Sequence, residues 1–415
     1  MIRRVLIRNF KAITELEFEP RLLNVFVGRN NTGKSTVLEA IALTCSIPKF
    51  KDVLGNDLLA ETLERSERQL IRFGADNCKV EIELDNGHTK TLEILPSRKI
   101  SELDQELANS VLSRIREYIS AELESEIKRI ESRMLELERR IEIAKKRGDE
   151  ETVYLLEKRL QALRLEYSKL TTMRELEIDR KVHEYLERSN IVLLHKFDNE
   201  VISVTLAGEY GHRTIVLRER EDIPMIKVLR RPAKSVDELI KHIEDKRPSV
   251  IDEVILKLRS HIPELVNIRT KGYFTPRAYV SLKYGVGIRV VPLSLMGDGF
   301  KALLELYLPL GLIKRRGIVL IEEPEVRLHP GYMNLFVELL VERIKRKPHI
   351  QLFLTTHSIE LLKSLVETLQ ERKLIDELMV IRMYRYGDGS TDYEVLTEHE
   401  VVTELLELEQ DLRGI

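Results

Sequence analysis

The stretch Gly28-Arg29-Asn30-Asn31-Thr32-Gly33-Lys34-Ser35 constrains this chain more than any other. It fits G-x-x-x-x-G-K-[ST] and stands between an apolar run, NVFV, and a segment, TVLEAIAL, whose apolar residues recur at helical spacing. A strand feeding such a loop and a helix leaving it belong to an α/β fold. The glycines let the backbone wrap a phosphate, so that successive N–H groups point inward at a helix N-terminus. The expected ATP contacts are Gly28, Asn30, Asn31, Thr32, Gly33, Lys34, Ser35 and Thr36. Lys34 would neutralise the β- and γ-phosphates, and the Ser35 hydroxyl would bind Mg²⁺. The competing interpretation is a Gly-rich turn that happens to precede Lys-Ser, and the flanking strand and helix argue against it.

Two further apolar runs end abruptly in chemistry-bearing side chains. Ile318 to Ile321 is followed by Glu322, Glu323 and Pro324. A central parallel strand needs such a run, and ligands sit at its C-terminal end in open α/β sheets. Glu322 is the expected Mg²⁺ carboxylate and Glu323 the group that polarises the attacking water. A shifted register makes Glu323 the metal residue and Glu325 the base; the first register is preferred because the apolar run stops immediately before Glu322. Leu352-Phe353-Leu354 leads into Thr355, Thr356, His357 and Ser358. Lone histidines are usually structural, but His357 at the tip of the adjacent strand is expected to face the γ-phosphate.

The pattern divides the chain into three zones. Residues 1–100 and 190–415 are expected to form two parts of one head. Residues 101–189 form an insertion of a different kind, with one Gly, no Pro and charges around a regular seam. Leu123, Ile127, Ile130, Met134, Leu137, Ile141 and Ala144 step by four and three alternately, the period of a supercoil. Gly148-Asp149 interrupts, and Leu156, Leu160, Leu163, Tyr167 and Leu170 resume the spacing. Two helices joined by so short a break fold back antiparallel. Two helices of an ordinary bundle would share the pattern, but the opposite faces are almost wholly charged.

The whole-chain charge of −2 predicts neither a nucleic-acid binder nor an anionic-ligand binder, so any basic patch is local. Local groups occur at the hairpin tip (Arg139, Arg140, Lys145, Lys146, Arg147), at Lys227, Arg230, Arg231 and Lys234, and at Lys314, Arg315 and Arg316. Each also reads as solvated surface, because acids are interleaved. No run approaches the ~20 apolar residues of a membrane span, and the N-terminus lacks the apolar run of a signal peptide. Two cysteines, Cys45 and Cys78, are too few for a disulfide framework and suit a reducing cytosol. The expectation is a cytoplasmic protein with no membrane partner.

Together these motifs resemble the ABC ATPase superfamily, in the branch holding SMC, RecF and OLD proteins. The resemblance rests on Arg8-Asn9-Phe10-Lys11, the GRNNTGKST loop followed by Glu39-Ala40-Ile41, LIRFGADNCKVEIEL, IEEPEVRLHP and TTHS. It covers roughly residues 1–95 and 270–390. It implies an ABC ATPase head interrupted by an antiparallel coiled-coil hairpin, binding ATP and Mg²⁺. It further implies that two heads close around ATP as a homodimer. Ser294, Gly297 and Gly299 occupy the place of the ABC signature and would complete the partner's site in trans. The segment departs from LSGGQ, Glu322 stands where Asp is commoner, the hairpin tip lacks C-x-x-C, and the TOPRIM domain of OLD-type nucleases is not expected. No glutamine is assigned to the Q-loop position. The implied role is a mechanochemical ATPase acting on DNA in repair, chromosome maintenance or defence; the alternative is a regulatory ATPase whose effector, such as a nuclease, is a separate chain.

Overall fold

The computed structural model describes all residues except 67–68, 103–104, 209–210, 219, 221–225, 230–234, 273–274, 314–315, 347–348, 388, 408–411 and 413–415. The chain divides into two compact units: one of residues 1–94, 194–201 and 220–415, and one of residues 95–193 and 202–219.

The first unit opens with β1 (Ile2–Phe10), β2 (Ile13–Phe18), β3 (Leu23–Val27), α1 (Lys34–Ser46), α2 (Leu58–Arg65), β4 (Cys78–Leu84) and β5 (Thr89–Pro96). The second holds α3 (Gln105–Arg147), α4 (Glu150–Thr172) and α5 (Arg174–Arg188). The chain passes between units within β5, and again within β6 (Ser189–Phe197) and β7 (Glu200–Gly208), and β8 (Gly211–Val216) follows. The first unit then resumes with β9 (Lys227–Leu229), α6 (Val236–Lys246), α7 (Pro248–Leu258), β10 (Leu265–Lys271), β11 (Arg277–Tyr284) and β12 (Gly287–Pro292). It ends with α8 (Asp298–Tyr307), β13 (Gly317–Glu322), α9 (Pro330–Arg346), β14 (Ile350–Thr356), α10 (Ile359–Glu371), β15 (Leu378–Arg385), β16 (Thr391–Leu396) and α11 (Glu398–Val402).

A six-stranded sheet, ordered β16-β15-β3-β14-β13-β9, positions the candidate site. Strands β15, β3, β14, β13 and β9 are parallel, and β16 closes one edge antiparallel. Every residue of β3 and β14 is buried, as strands covered on both faces require. The apolar runs found in the sequence are these central strands, so their C-terminal ends emerge together. A separate antiparallel group, β2-β1-β4-β5, alternates buried and exposed residues in β4, the mark of a sheet covered on one face.

In the second unit α3 and α4 run antiparallel. Lys145 pairs with Glu157 at 2.8 Å, Arg164 with Glu138 at 2.8 Å, and the Tyr167 hydroxyl donates to Glu131 at 2.8 Å. The reversal is built by Gly148 at φ 71° and by Asp149, whose carboxylate accepts the Thr152 N–H and caps α4. Ile141, Leu156 and Leu160 are buried together, with Met134, Leu137 and Val153 packed against them. The buried face of α3 also takes in Val111, Ile115 and Ile119, before the seam read from the sequence. Two features differ from expectation. The returning arm is not one helix, because Met173 separates α4 from α5. The outer faces are less uniformly charged than anticipated: Leu135, Ile143, Tyr154, Leu155 and Leu165 are exposed there. No helix among the described residues is long and apolar enough to cross a membrane.

Candidate nucleotide site

The loop after β3 is shaped by backbone that only certain residues tolerate. Gly28 has φ 147°, and a Cβ there would lie 2.5 Å from the Met383 carbonyl oxygen of β15, so no side chain fits. Asn31 at φ 63° and Gly33 at φ 97° complete the turn, and α1 begins at Lys34 with no capping side chain from Gly33. The first-turn N–H groups of α1 are thus directed at the loop, the arrangement that suits an anion. Asn30 and Asn31 are exposed, while Ser35 and Thr36 are half-buried at the start of the helix.

Lys34 is buried, and its Nζ donates to the Gly28 carbonyl at 2.8 Å and the Arg29 carbonyl at 2.7 Å. The Thr32 hydroxyl donates to the same Arg29 carbonyl at 2.9 Å. Burial lowers the pKa of the Lys34 ammonium below the ordinary lysine value, and the carboxylates of Glu323 and Glu325 partly restore it. The loop cation and the strand-end acids therefore share one electrostatic site.

Glu322 ends β13, in register with Thr355 of β14. Glu323 follows in the left-handed region, φ 42° and ψ 60°, an uncommon conformation for a side-chain-bearing residue. It is held there by its N–H, which donates to the Thr355 carbonyl at 3.0 Å. Glu325 turns back toward β14: one of its oxygens accepts from the Thr356 hydroxyl at 2.8 Å and the His357 N–H at 2.9 Å. Its other oxygen is buried without a hydrogen-bond partner. Of the two carboxylates, Glu323 is the more accessible. Its side chain is 34% exposed, against 8% for Glu325. The His357 Nδ1 lies 3.6 Å from Glu323 and 3.3 Å from Glu325, so His357 does join this cluster.

In the sheet β13 is not adjacent to β3, because β14 lies between them. Residues 355–358 therefore bridge the loop side and the carboxylate side. The sequence also gave no signal for Arg65 at the end of α2. Its guanidinium is 3.2 Å from the Glu322 carboxylate and 3.8 Å from Glu39, which in turn pairs with Lys11. Lys11 and Glu39 thus connect to the site through Arg65. An exposed ion pair of this kind stabilises by about 0.2–1 kcal/mol. Arg65→Ala should accordingly raise Mn²⁺ affinity in the presence of ADP by up to about fivefold, measured by electron paramagnetic resonance. Weaker or unchanged binding would show that Arg65 does not compete for Glu322.

Ser294 and Gly297 lie in the segment joining β12 to α8, and Gly299 is the second residue of α8. Ser294 and Gly297 are exposed, and a Cβ on Gly297 would meet nothing within 4 Å. Gly299 is different: a Cβ there would lie 2.7 Å from the Tyr332 ring of α9, so its smallness serves packing within the head.

A family model described as AAA domain, putative AbiEii toxin, Type IV TA system matches residues 23–363. An uncharacterized protein of Methanocaldococcus jannaschii is 33% identical over 120 residues, 29% of this chain and 100% of that protein. The DNA replication and repair protein RecF of Halothermothrix orenii is 34% identical over 107 residues, 25% of this chain but only 28% of RecF. Among solved structures, the Smc head domain of Pyrococcus furiosus with an extended coiled coil, bound to the C-terminal domain of ScpA, aligns at TM-score 0.46. That alignment has 14% identity and covers 99% of each chain. The SMC head domain of Thermotoga maritima aligns at TM-score 0.44 with 12% identity, covering 95% of this chain and 98% of that one. These last two likenesses are too distant to carry an argument about activity or partners.

Proposed function

This chain belongs to the family of AAA domains described as putative AbiEii toxin of a type IV TA system, and we propose that it hydrolyses Mg²⁺-bound ATP between two heads. The observation that carries this is the convergence of Lys34, at the start of α1, with Glu323 and His357, just past the ends of β13 and β14. Family membership already makes the chain an ATP-binding ATPase by type; what is proposed is the division of labour. The N–H groups of residues 30–36 hold the phosphates, and Lys34 exchanges its loop carbonyls for phosphate oxygens. Glu323 orients the attacking water and accepts its proton, with His357 beside it.

The residues fit a divalent ion of the magnesium kind. Among the described residues no group of three or more His, Cys, Asp or Glu is arranged to hold a metal ion by itself. Mg²⁺ needs none, because it is commonly held by one or two protein oxygens plus substrate phosphates. Ser35 and Glu322 would supply those oxygens, and the ion would neutralise charge on the phosphates.

Lys34→Ala tests the site directly. Hydrogen bonds to charged groups contribute about 1.5–3 kcal/mol, so ATP affinity by calorimetric titration with Mg²⁺ should fall roughly tenfold to a hundredfold. An unchanged affinity would place the phosphate site elsewhere.

DNA is the proposed substrate of the motion, supported by the resemblance to the SMC, RecF and OLD branch and by the RecF relative. A second reading is favoured by the family description itself, which names one component of a toxin–antitoxin system. In it the ATPase regulates a separate effector or partner chain. Of the basic groups expected to serve DNA, Arg230, Arg231, Lys234, Lys314 and Arg315 lie outside the described residues. At the hairpin tip Lys145 and Lys146 pair with Glu157 and Glu142, and Arg316 pairs with Asp85.

A further inference from the structure

In the antiparallel sheet β10-β11-β12, β11 has one face buried in the head and one face outward, while β12 is exposed along most of its length. Ala278, Val280 and Leu282 of β11 are buried, so the alternate residues Arg277, Tyr279, Ser281 and Lys283 stand on the outer face. Register carries that face across the sheet. Arg277 lies opposite Lys271 of β10, Tyr279 opposite Pro292, Ser281 opposite Val290 and Lys283 opposite Ile288.

The composition of this face is unusual for the chain. Lys271, Arg277 and Lys283 are exposed and, among the described residues, make no ion pair. The nearby Arg269 does have a partner, Asp252, at 2.7 Å. The aromatic ring of Tyr279 lies among them, with the Lys271 ammonium 5.2 Å from its centroid. Ile288 and Val290 are 61% and 53% exposed on the same side. Same-face residues along a strand are about 6–7 Å apart, so Arg277 and Lys283 bracket a strip roughly 20 Å long.

We propose that this face binds single-stranded DNA, with Lys271, Arg277 and Lys283 on phosphates and Tyr279, Ile288 and Val290 under unstacked bases. The cations supply charge complementarity, and the apolar groups decide the form of the ligand. A duplex presents its phosphates outward and would leave Ile288 and Val290 against charged oxygens. A single strand can turn its bases onto apolar and aromatic side chains. The inference rests on the reading that this protein acts on DNA, and gives that reading a surface. The third strand, β12, also runs directly into the Ser294–Gly299 segment, which occupies the place of the ABC signature.

The test is fluorescence anisotropy with labelled oligo-dT and a matched duplex over a series of salt concentrations. The proteins are wild type, the triple variant Lys271→Glu/Arg277→Glu/Lys283→Glu, and Tyr279→Ala. Calorimetric ATP binding confirms that each variant folds. The wild type should prefer the single strand. The triple variant should lose at least tenfold in affinity, and its plot of log affinity against log salt should flatten by about 2, from ~0.7 per phosphate for three phosphates. Tyr279→Ala should weaken binding about tenfold with the slope unchanged, which a merely electrostatic surface would not show. A triple variant that binds like the wild type would overturn the assignment of this face while leaving a DNA role intact. Equal loss on duplex, or full competition by polyglutamate, would overturn the single-strand assignment. A wild type that binds neither nucleic acid would overturn the inference and the DNA reading together.

Discussion

Glu323→Gln is expected to bind ATP as tightly as the wild type and to turn it over at least about a hundredfold more slowly. The substitution keeps the size and hydrogen-bonding capacity of the side chain but removes the charge that orients water and takes its proton, an effect of about 10²–10⁴ in rate. The backbone at Glu323 is held by its N–H on the Thr355 carbonyl at 3.0 Å, which the amide leaves untouched. Loss of fold is therefore not an outcome to expect. Glu325→Gln makes the contrast. Its oxygen ties Thr356 and His357 at 2.8 and 2.9 Å, and a glutamine can keep those two bonds. Steady-state phosphate release should fall far less in this variant, and an equal fall would reverse the assignment of the two carboxylates.

The second large effect concerns the signature segment. Gly297→Arg should bind ATP as a monomer, fail to dimerise, and lose hydrolysis to the level of Glu323→Gln. Gly297 is the cleaner position because a side chain there meets nothing within 4 Å of its own head. An arginine at Gly299 would instead collide with Tyr332, and a loss of activity could then reflect displacement of α9. Normal turnover by Gly297→Arg would show that this segment does not serve a partner's nucleotide.

Much of the fold could be read from the sequence because its strongest signals are local. The Gly28–Ser35 loop, the apolar runs that became β13 and β14, and the seam from Leu123 to Ala144 each follow from spacing within about twenty residues. What could not be read is long-range. Arg65 reaches Glu322 across more than half the chain, and nothing in the LERSER stretch distinguishes it from solvated charge. The order of β3, β14 and β13 likewise depends on pairings between distant segments, so the place of β14 between the other two was not evident. The outer face of β10-β11-β12 was missed for a related reason. Its cations are scattered singly through residues 271–283 and become one strip only when alternation and register are known. Gly299 carries a constraint of the same long-range kind, because a Cβ there would lie 2.7 Å from the Tyr332 ring of α9.

The central claim is that the active unit is a pair of heads closed around ATP. Light scattering after size-exclusion chromatography of Glu323→Gln, with and without ATP and Mg²⁺, tests it most directly. The account predicts the 48.4 kDa monomer without nucleotide and a particle of twice that mass with ATP. Addition of ADP should not produce the dimer. A Glu323→Gln protein that remains monomeric with ATP bound would contradict the account.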